Sequence, residues 1–332
     1  MLQDFSSNPR FALSKSLRIG VLLGGSSSER KISIRSGRAV SNALRRIGFK
    51  TLPLDAKYSN RFKTWRDHID LAFVALHGRG GEDGQIQKTL EQWKVPYIGS
   101  DAPSSLRAFH KGISKKVFAQ QKISTPPFLQ VHASNWRKQL KHFPVPFVVK
   151  PFCEGSSIGV FIVEDLKKED EKIRRALNLY GELLIEKKIE GREFTVGILG
   201  PSALPVVELK TKRSFYDYRA KYTRGMTEYE APALIADSLK RRLQNLALKV
   251  HKSLGLRDFS RVDMMVDEKG NPYVLEANSI PGFTELSLLP KAAQAAGFSF
   301  EELCYTLVRL GYERNKQLKQ TLKGRSHGKK EA

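Results

Sequence analysis

The sequence predicts an α/β protein of more than one domain, and three observations carry that expectation. Residues 17–23 (LRIGVLL) form an unbroken apolar run, followed by Gly24-Gly25 and a stretch whose Ala39, Val40, Ala43, Leu44 and Ile47 fall on one helical face. A strand, a glycine turn and a helix open a parallel α/β unit. Towards the other end, Arg261, Asp263 and Met265 alternate along one run, residues 273–278 form a second, and Asp-Glu-Lys-Gly-Asn-Pro lies between them. That pattern is an antiparallel hairpin. Finally, 332 residues are more than one hydrophobic core usually organises, so two or three domains are expected.

Composition narrows the function classes. Hydrophobic residues at 40% suffice for packed cores, and no apolar run approaches a membrane span. Residues 1–16 lack the apolar core of a signal peptide and are expected to be a loosely ordered lead-in. Two cysteines, Cys153 and Cys304, lie far apart without metal-ligand spacing, which suits a reduced, cytoplasmic protein. The net charge of +23 raises the question of a nucleic-acid or anionic-membrane partner. Residues 313–332 read as a basic tail, with seven Lys/Arg against two Glu, but most of the surplus is spread along the rest of the chain. No zinc finger, RNA-recognition motif or heptad-linked basic region accompanies it, so no specific nucleic acid is expected.

The hairpin carries the first chemistry. Side chains alternate along a strand, so Arg261 and Asp263 share one side, and Glu276 and Asn278 share one side of the next strand. If those faces coincide, two carboxylates and an amide oxygen converge where Mg²⁺, which prefers oxygen ligands and bridges to phosphates, could sit. An ordinary hairpin with a solvated polar face competes with this. Two features argue for a site: the Arg beside the Asp, and the break Asn-Ser-Ile-Pro-Gly at 278–282, suited to presenting N–H groups.

Other motifs follow in chain order. Gly-Gly-Ser-Ser-Ser-Glu at 24–29 leads into the first helix, where Glu29 also suits the helix dipole. A strand at 70–76 runs into His-Gly-Arg-Gly-Gly-Glu-Asp-Gly at 77–84, whose four glycines are too costly in backbone entropy to be filler. Residues 95–100 close the first domain. A helix from Ser104 carries Lys111 and is expected to end at Pro126-Pro127. Residues 143–152 (FPVPFVVKPF) read as a strand delivering Lys150, where a buried phosphate partner is favoured over a surface charge. Glu-Gly-Ser-Ser-Ile-Gly at 154–159 has the small residues that let amides approach phosphate oxygens, without the Gly-Lys-Ser/Thr ending of a P-loop. Residues 182–189 (ELLIEKKI) are an apolar strand leading into charges, for which a plain surface strand end is an equal reading. Residues 208–232, with Tyr216, Tyr218, Tyr222 and Tyr229, have the composition of a functional loop. Leu239, Leu243, Leu246 and Val250 mark a structural helix, and another is expected around residues 300–310.

These motifs, in this order from about residue 17 to 312, resemble the ATP-grasp enzymes and, within them, the D-alanine:D-alanine ligase family. The resemblance implies an N-terminal parallel α/β domain (17–102) followed by two α+β subdomains (103–187 and 188–312) that clamp the nucleotide. It implies ATP as substrate, Mg²⁺ or Mn²⁺ as cofactor with two ions expected, D-alanine as the other substrate, and a homodimer. Glu29 would hold the ammonium of the first D-alanine, although Lys31 stands where the family commonly has an acid. His77 would position the loop beside that substrate. Lys111, Lys150 and Lys221 would meet the phosphates beneath the Ser156-Ser157 loop, and Ser156 would join Glu29 and Tyr222 in a hydrogen-bonded set. Glu186 and the main chain near Lys187 and Ile189 would receive adenine, with Lys188 where an aromatic is frequent, and Glu193 would bind ribose. Asp263, Glu276 and Asn278 would hold the metal. Ser287 and the backbone near Leu288 would take the second D-alanine carboxylate, and Arg261 with the Gly282 N–H would face the oxyanion. The implied reaction proceeds through an acyl phosphate. Ligases using D-lactate or D-serine, or another carboxylate–amine ligase, are the alternatives, and a basic nucleic-acid-binding protein is a remote one. In the family a Tyr at the position of Tyr222 accompanies dipeptide formation.

Overall fold

A computed structural model describes residues 13–211 and 226–327, the side chains of 59–63 and 318–327 excepted. Strand β1 (Arg18–Leu23) is followed by α1 (Arg30–Arg46), β2 (Lys50–Asp55) and β3 (Leu71–Val74). They form a parallel sheet in the order β2-β1-β3, which a bridge from Ala72 to Tyr97 extends. The apolar run and the helical stripe are where the sequence places them, and Val40, Ala43 and Leu44 of α1 are buried on the sheet. The β2 strand (KTLPLD) was not anticipated; it is mostly open to solvent, only Leu54 is buried, and Pro53 interrupts its short apolar pattern. Part of the lead-in is docked rather than loose. Leu13 is buried and its N–H donates to the Tyr305 hydroxyl (3.3 Å), and the Lys15 ammonium donates to the Ile47 carbonyl (2.6 Å).

Helices α2 (Gln85–Gln92), α3 (Ala102–Phe109) and α4 (Lys111–Gln120) lead to the second sheet. The helix expected to run to Pro126-Pro127 instead breaks at His110, whose ring caps the next helix by accepting from the Ile113 N–H (3.3 Å), and ends at Gln120. The prolines precede β4 (Phe128–His132). Next come α5 (Trp136–Leu140), β5 (Phe147–Pro151), β6 (Phe161–Val163), α6 (Leu166–Tyr180) and β7 (Glu182–Lys187), forming an antiparallel sheet in the order β4-β7-β5-β6. Strand β5 begins at 147 rather than 143 because Pro144 and Pro146 cannot donate to a ladder.

The third sheet is antiparallel, in the order β10-β9-β8-β11-β12. Its strands are β8 (Gly191–Leu199), β9 (Ser202–Thr211), β10 (Thr227–Glu230), β11 (Phe259–Asp267) and β12 (Pro272–Asn278), with α7 (Asp237–Ser253) packed on it. The stretch 208–232 is therefore not loop throughout. Its ends pair in β9 and β10, Glu208 opposite Glu230 and Thr211 opposite Thr227, while Tyr216, Tyr218, Lys221 and Tyr222 lie outside the described residues. Helix α8 (Leu288–Ala295) and α9 (Phe300–His327) close the chain. The last helix runs well beyond residue 310, in a segment rich in Glu, Arg, Lys and Gln, all good helix formers. Leu303, Leu307 and Val308 of α9 share a core with Ile19 and Phe73, so the C-terminus returns to the first sheet. Among the described residues no helix is long and apolar enough to cross a membrane.

Candidate active site

The hairpin faces do coincide. In the antiparallel ladder Arg261 lies opposite Asn278 and Asp263 opposite Glu276, and the register slips only after Asp263. The bulge thus comes just past the last pair of polar side chains. Directly opposed residues have neighbouring side chains, so two carboxylates and one amide share a small patch. Arg261 grips Asp263 through Nε (2.8 Å) and Nη2 (2.6 Å), the Thr195 hydroxyl donates to Asp263 Oδ1 (2.6 Å), and the Asn278 amide lies 3.2 Å from Oδ2. The Lys111 ammonium is 3.6 Å from Glu276 Oε2. Asp263, Glu276 and Asn278 form an all-oxygen donor set beside an existing cation. That chemistry fits Mg²⁺ or Mn²⁺, which would draw its remaining ligands from phosphates and water.

Between the second and third sheets lies a cavity of about 430 Å³, within the range of nucleotide-sized pockets. Nine of the anticipated residues line it: Lys111, Lys150, Ser157, Glu186, Lys187, Ile189, Glu193, Asp263 and Glu276. Lys150, at the end of β5, is not a lone ammonium awaiting an anion as its position had suggested; it is paired with Glu186 Oε2. The other carboxylate oxygen of Glu186 is paired with Lys115, a residue that sequence reasoning missed. The signal was available, since Lys115 lies one helical turn from Lys111 and on the same buried stripe as Ser114 and Phe118. Burial pushes Glu186 upward, but the two ammoniums outweigh it and hold the carboxylate below its usual range. The Lys187 N–H already donates to the Pro127 carbonyl (2.8 Å), which narrows any main-chain contact there to the Lys187 carbonyl and Ile189. Lys188 pairs with Glu190 (2.6 Å).

The loop at 154–159 lines this cavity through Glu154 and Ser157 and joins it to the residues around Glu29. Ser156 and Ser157 both have positive φ, at 50° and 58°, a conformation that non-glycine residues adopt at a cost and that clusters at functional sites. The Ser156 hydroxyl donates to Glu29 Oε1. Lys111 Nζ donates to the Glu154 carbonyl (2.6 Å), and Arg79 of the 77–84 loop reaches the Cys153 carbonyl (3.3 Å) and the Glu154 carboxylate (3.3 Å). Glu29 is itself buried.

Below Glu29, His77 is buried with Nδ1 3.2 Å from the Ile280 carbonyl and Nε2 2.9 Å from the Ser36 hydroxyl, which accepts from the Phe283 N–H (3.2 Å). The chain is self-consistent if Nδ1–H donates to Ile280 and Ser36 donates to Nε2. It clamps the segment carrying Gly282 to the first domain. Gly282 sits against Ser287, where an added Cβ would lie 2.7 Å from the hydroxyl. Ser287 precedes α8, with its Oγ accepting from the Thr284 N–H (3.1 Å), and Leu288 is buried at the first helical position. The structure thus gathers the described site residues around one nucleotide-sized cavity and into an adjoining cluster tied to it by the Ser156–Glu29 hydrogen bond; Lys221 and Tyr222 are outside the described residues.

Residues 57–100 match the family described as D-ala D-ala ligase N-terminus, and residues 117–309 match D-ala D-ala ligase C-terminus. The chain is 43% identical over 296 residues to the D-alanine–D-alanine ligase of Methylacidiphilum infernorum, covering 89% of this chain and 96% of that one. It is 42% identical to the corresponding enzyme of Aquifex aeolicus, covering 88% of this chain and 100% of that one. Among solved structures, the Bacillus anthracis D-alanine–D-alanine ligase complexed with ATP superposes with a TM-score of 0.81 at 33% identity, over 91% of this chain and 99% of that one. A likeness that runs through both matched regions and nearly the full length of its relatives leaves one conclusion: the chain belongs to the D-alanine–D-alanine ligase family.

Proposed function

We propose that the protein joins two D-alanine molecules at the expense of ATP to give D-alanyl-D-alanine for peptidoglycan synthesis in the cytoplasm. The observation that carries this is the link between the nucleotide-sized cavity and the first domain, where Ser156 of the 154–159 loop bonds Glu29 at the head of α1. ATP occupies the cavity, with adenine at Glu186, Lys187 and Ile189, ribose at Glu193, and the phosphates at Lys111, Lys150 and Lys221 under Ser156 and Ser157. Asp263, Glu276 and Asn278 would hold Mg²⁺ or Mn²⁺, two ions by family resemblance, which would neutralise phosphate charge when bound. Glu29 holds the ammonium of the first D-alanine, and the His77 clamp fixes the wall on which it rests.

The carboxylate of that D-alanine attacks the γ-phosphorus, breaking the bond to ADP and forming an acyl phosphate. Such transfers need in-line positioning and charge stabilisation more than covalent help from protein. The second D-alanine, its carboxylate at Ser287 and the backbone near Leu288, then attacks the acyl carbon through its amine, and phosphate leaves. Arg261 and the Gly282 N–H face the tetrahedral oxyanion. By family resemblance Tyr222 would join Glu29 and Ser156 and favour the amine over a hydroxyl acceptor. The domain limits 17–102, 103–187 and 188–312 and the homodimer are part of this reading, for which sedimentation of the purified protein is the check on assembly.

The test is phosphate release and product mass with D-alanine, L-alanine, D-lactate and D-serine in parallel. Dipeptide from D-alanine alone is expected. Depsipeptide formation as the main product would move the protein to the D-lactate branch, and binding of nucleic acid with steep salt dependence and no ATP turnover would overturn the ligase reading.

A further inference from the structure

The proposed mechanism gives Lys115 nothing to do, yet few charged groups are so completely enclosed. Its side chain is 1% exposed. The ammonium meets groups from two sheets and the loop between α4 and β4: Glu186 Oε1 on β7, the Thr125 hydroxyl, and the Val274 carbonyl of β12 at 3.4 Å. Thr125 donates to the same carbonyl (2.8 Å), and the Val274 N–H donates to the Ser124 carbonyl (2.8 Å). Lys115 therefore sits on a tight seam between the two sheets that enclose the cavity. Lys150 and Glu186 line that cavity, whereas Lys115 stands behind them. The two oxygens of Glu186 are divided, Oε1 to Lys115 and Oε2 to Lys150.

That division matters once nucleotide enters, and the role of Lys115 rests on the proposed placement of adenine at Glu186 and the phosphates at Lys150. A lysine that moves to phosphate must release Oε2, the oxygen on the cavity side. A buried carboxylate deprived of its only cation is strongly unfavourable; it either retains the lysine or takes up a proton. We propose that Lys115 is a positioning residue that holds Glu186 in place through Oε1 while Lys150 turns to phosphate, so that Oε2 is presented to the exocyclic amine of adenine and rejects 6-oxo purines. A carboxylate accepts from the adenine amine but opposes the carbonyl oxygen of hypoxanthine, and a neutral carboxylic acid would lose that discrimination because it can accept from the amine or donate to the carbonyl.

The experiment is steady-state kinetics of the full chain with ATP and ITP at saturating D-alanine, alongside calorimetric binding of both nucleotides, for wild type, Lys115→Met, Lys115→Arg and Glu186→Gln. In Lys115→Met the KM for ATP should rise about ten- to hundredfold, the range of a charge-assisted hydrogen bond, with a much smaller change in kcat. The ATP-over-ITP ratio should collapse, and Lys115→Arg should restore most of it. If Lys115→Met does not accumulate as folded protein, Lys115→Gln, a neutral donor, should show the same collapse. A Lys115→Met enzyme that is less heat-stable but keeps the wild-type ATP-over-ITP ratio overturns the proposal and leaves Lys115 a structural seam. A Glu186→Gln enzyme with an unchanged ratio overturns the adenine site itself, and the proposal with it. Collapse in Glu186→Gln without collapse in Lys115→Met removes only the role of Lys115.

Discussion

Glu276 and Asp263 face each other across one rung of the hairpin, but they are partnered differently. Asp263 is held by a bidentate Arg, a hydroxyl and an amide, so its substitution would disturb the sheet as well as any ion. Glu276 is more exposed and meets Lys111 at 3.6 Å, which makes it the cleaner probe. Glu276→Gln keeps shape and removes one negative charge. Loss of outer-shell partners at metal sites typically costs about ten- to hundredfold in activity, so loss of a direct ligand should cost at least about a hundredfold in kcat/KM, with an unchanged melting temperature. Excess Mg²⁺ should recover part of the loss. Wild-type turnover at ordinary Mg²⁺ would show the hairpin to be structural only.

At the level of elements, two glycines separate shape from function. Gly84, which precedes α2, has φ of +91°, and an added Cβ would lie 2.4 Å from the Ala102 carbonyl oxygen. Gly84→Ala therefore combines a left-handed alanine with a clash against backbone, and should destabilise the protein by about 2 kcal/mol or more in urea unfolding. Gly155 has no such backbone demand, and its Cβ would instead come 2.5 Å from Glu29 Oε2. Gly155→Ala should leave unfolding nearly unchanged while displacing the Glu29 carboxylate, and lower kcat/KM for D-alanine about a hundredfold, as misplacement near 1 Å can. The reverse pattern, an unstable Gly155→Ala enzyme with normal kcat/KM per folded molecule, would remove Glu29 from the substrate site. These loops, like the hairpin, were legible in sequence because glycine and a period of two are local signals. Strands β2 and β10 were not, since short polar edge strands carry little hydrophobic alternation. Nor was the pairing of Glu186 with Lys115 and Lys150, which depends on where residues 36 to 71 positions apart meet in space.

On the scale of the whole molecule, the C-terminal helix ties residues 97–99 to the start of β11. Arg314 of α9 binds the carbonyls of Tyr97 (2.8 Å) and Gly99 (3.2 Å) and the carboxylate of Asp258 (3.0 Å), while the Gly99 N–H donates to that same carboxylate (2.7 Å). Directly behind lies His251 of α7, buried, with Nδ1 2.7 Å from the Ser260 hydroxyl. Burial pushes the imidazole down to about 4, against the pull of Asp258 and with a smaller push from Lys252. A histidine whose folded pKa lies below its unfolded value of 6.5 leaves the unfolded chain binding more protons throughout that interval, so stability rises with pH there. The contribution is complete above about pH 6.5 and is lost as pH falls towards 4; that interval corresponds to about 3 kcal/mol. Because acidic ion pairs such as Arg30–Asp55 weaken only nearer pH 2, the loss between about pH 6.5 and about pH 4.5 should belong largely to His251. Denaturant midpoints of wild type and His251→Asn across that range provide the check. The variant, less stable at about pH 7, should show a shallower slope and converge with wild type near pH 4.5, about where the buried imidazole gains its proton. Parallel slopes would mean that His251 titrates normally and that the α7–β11 packing is wetter than the structure shows.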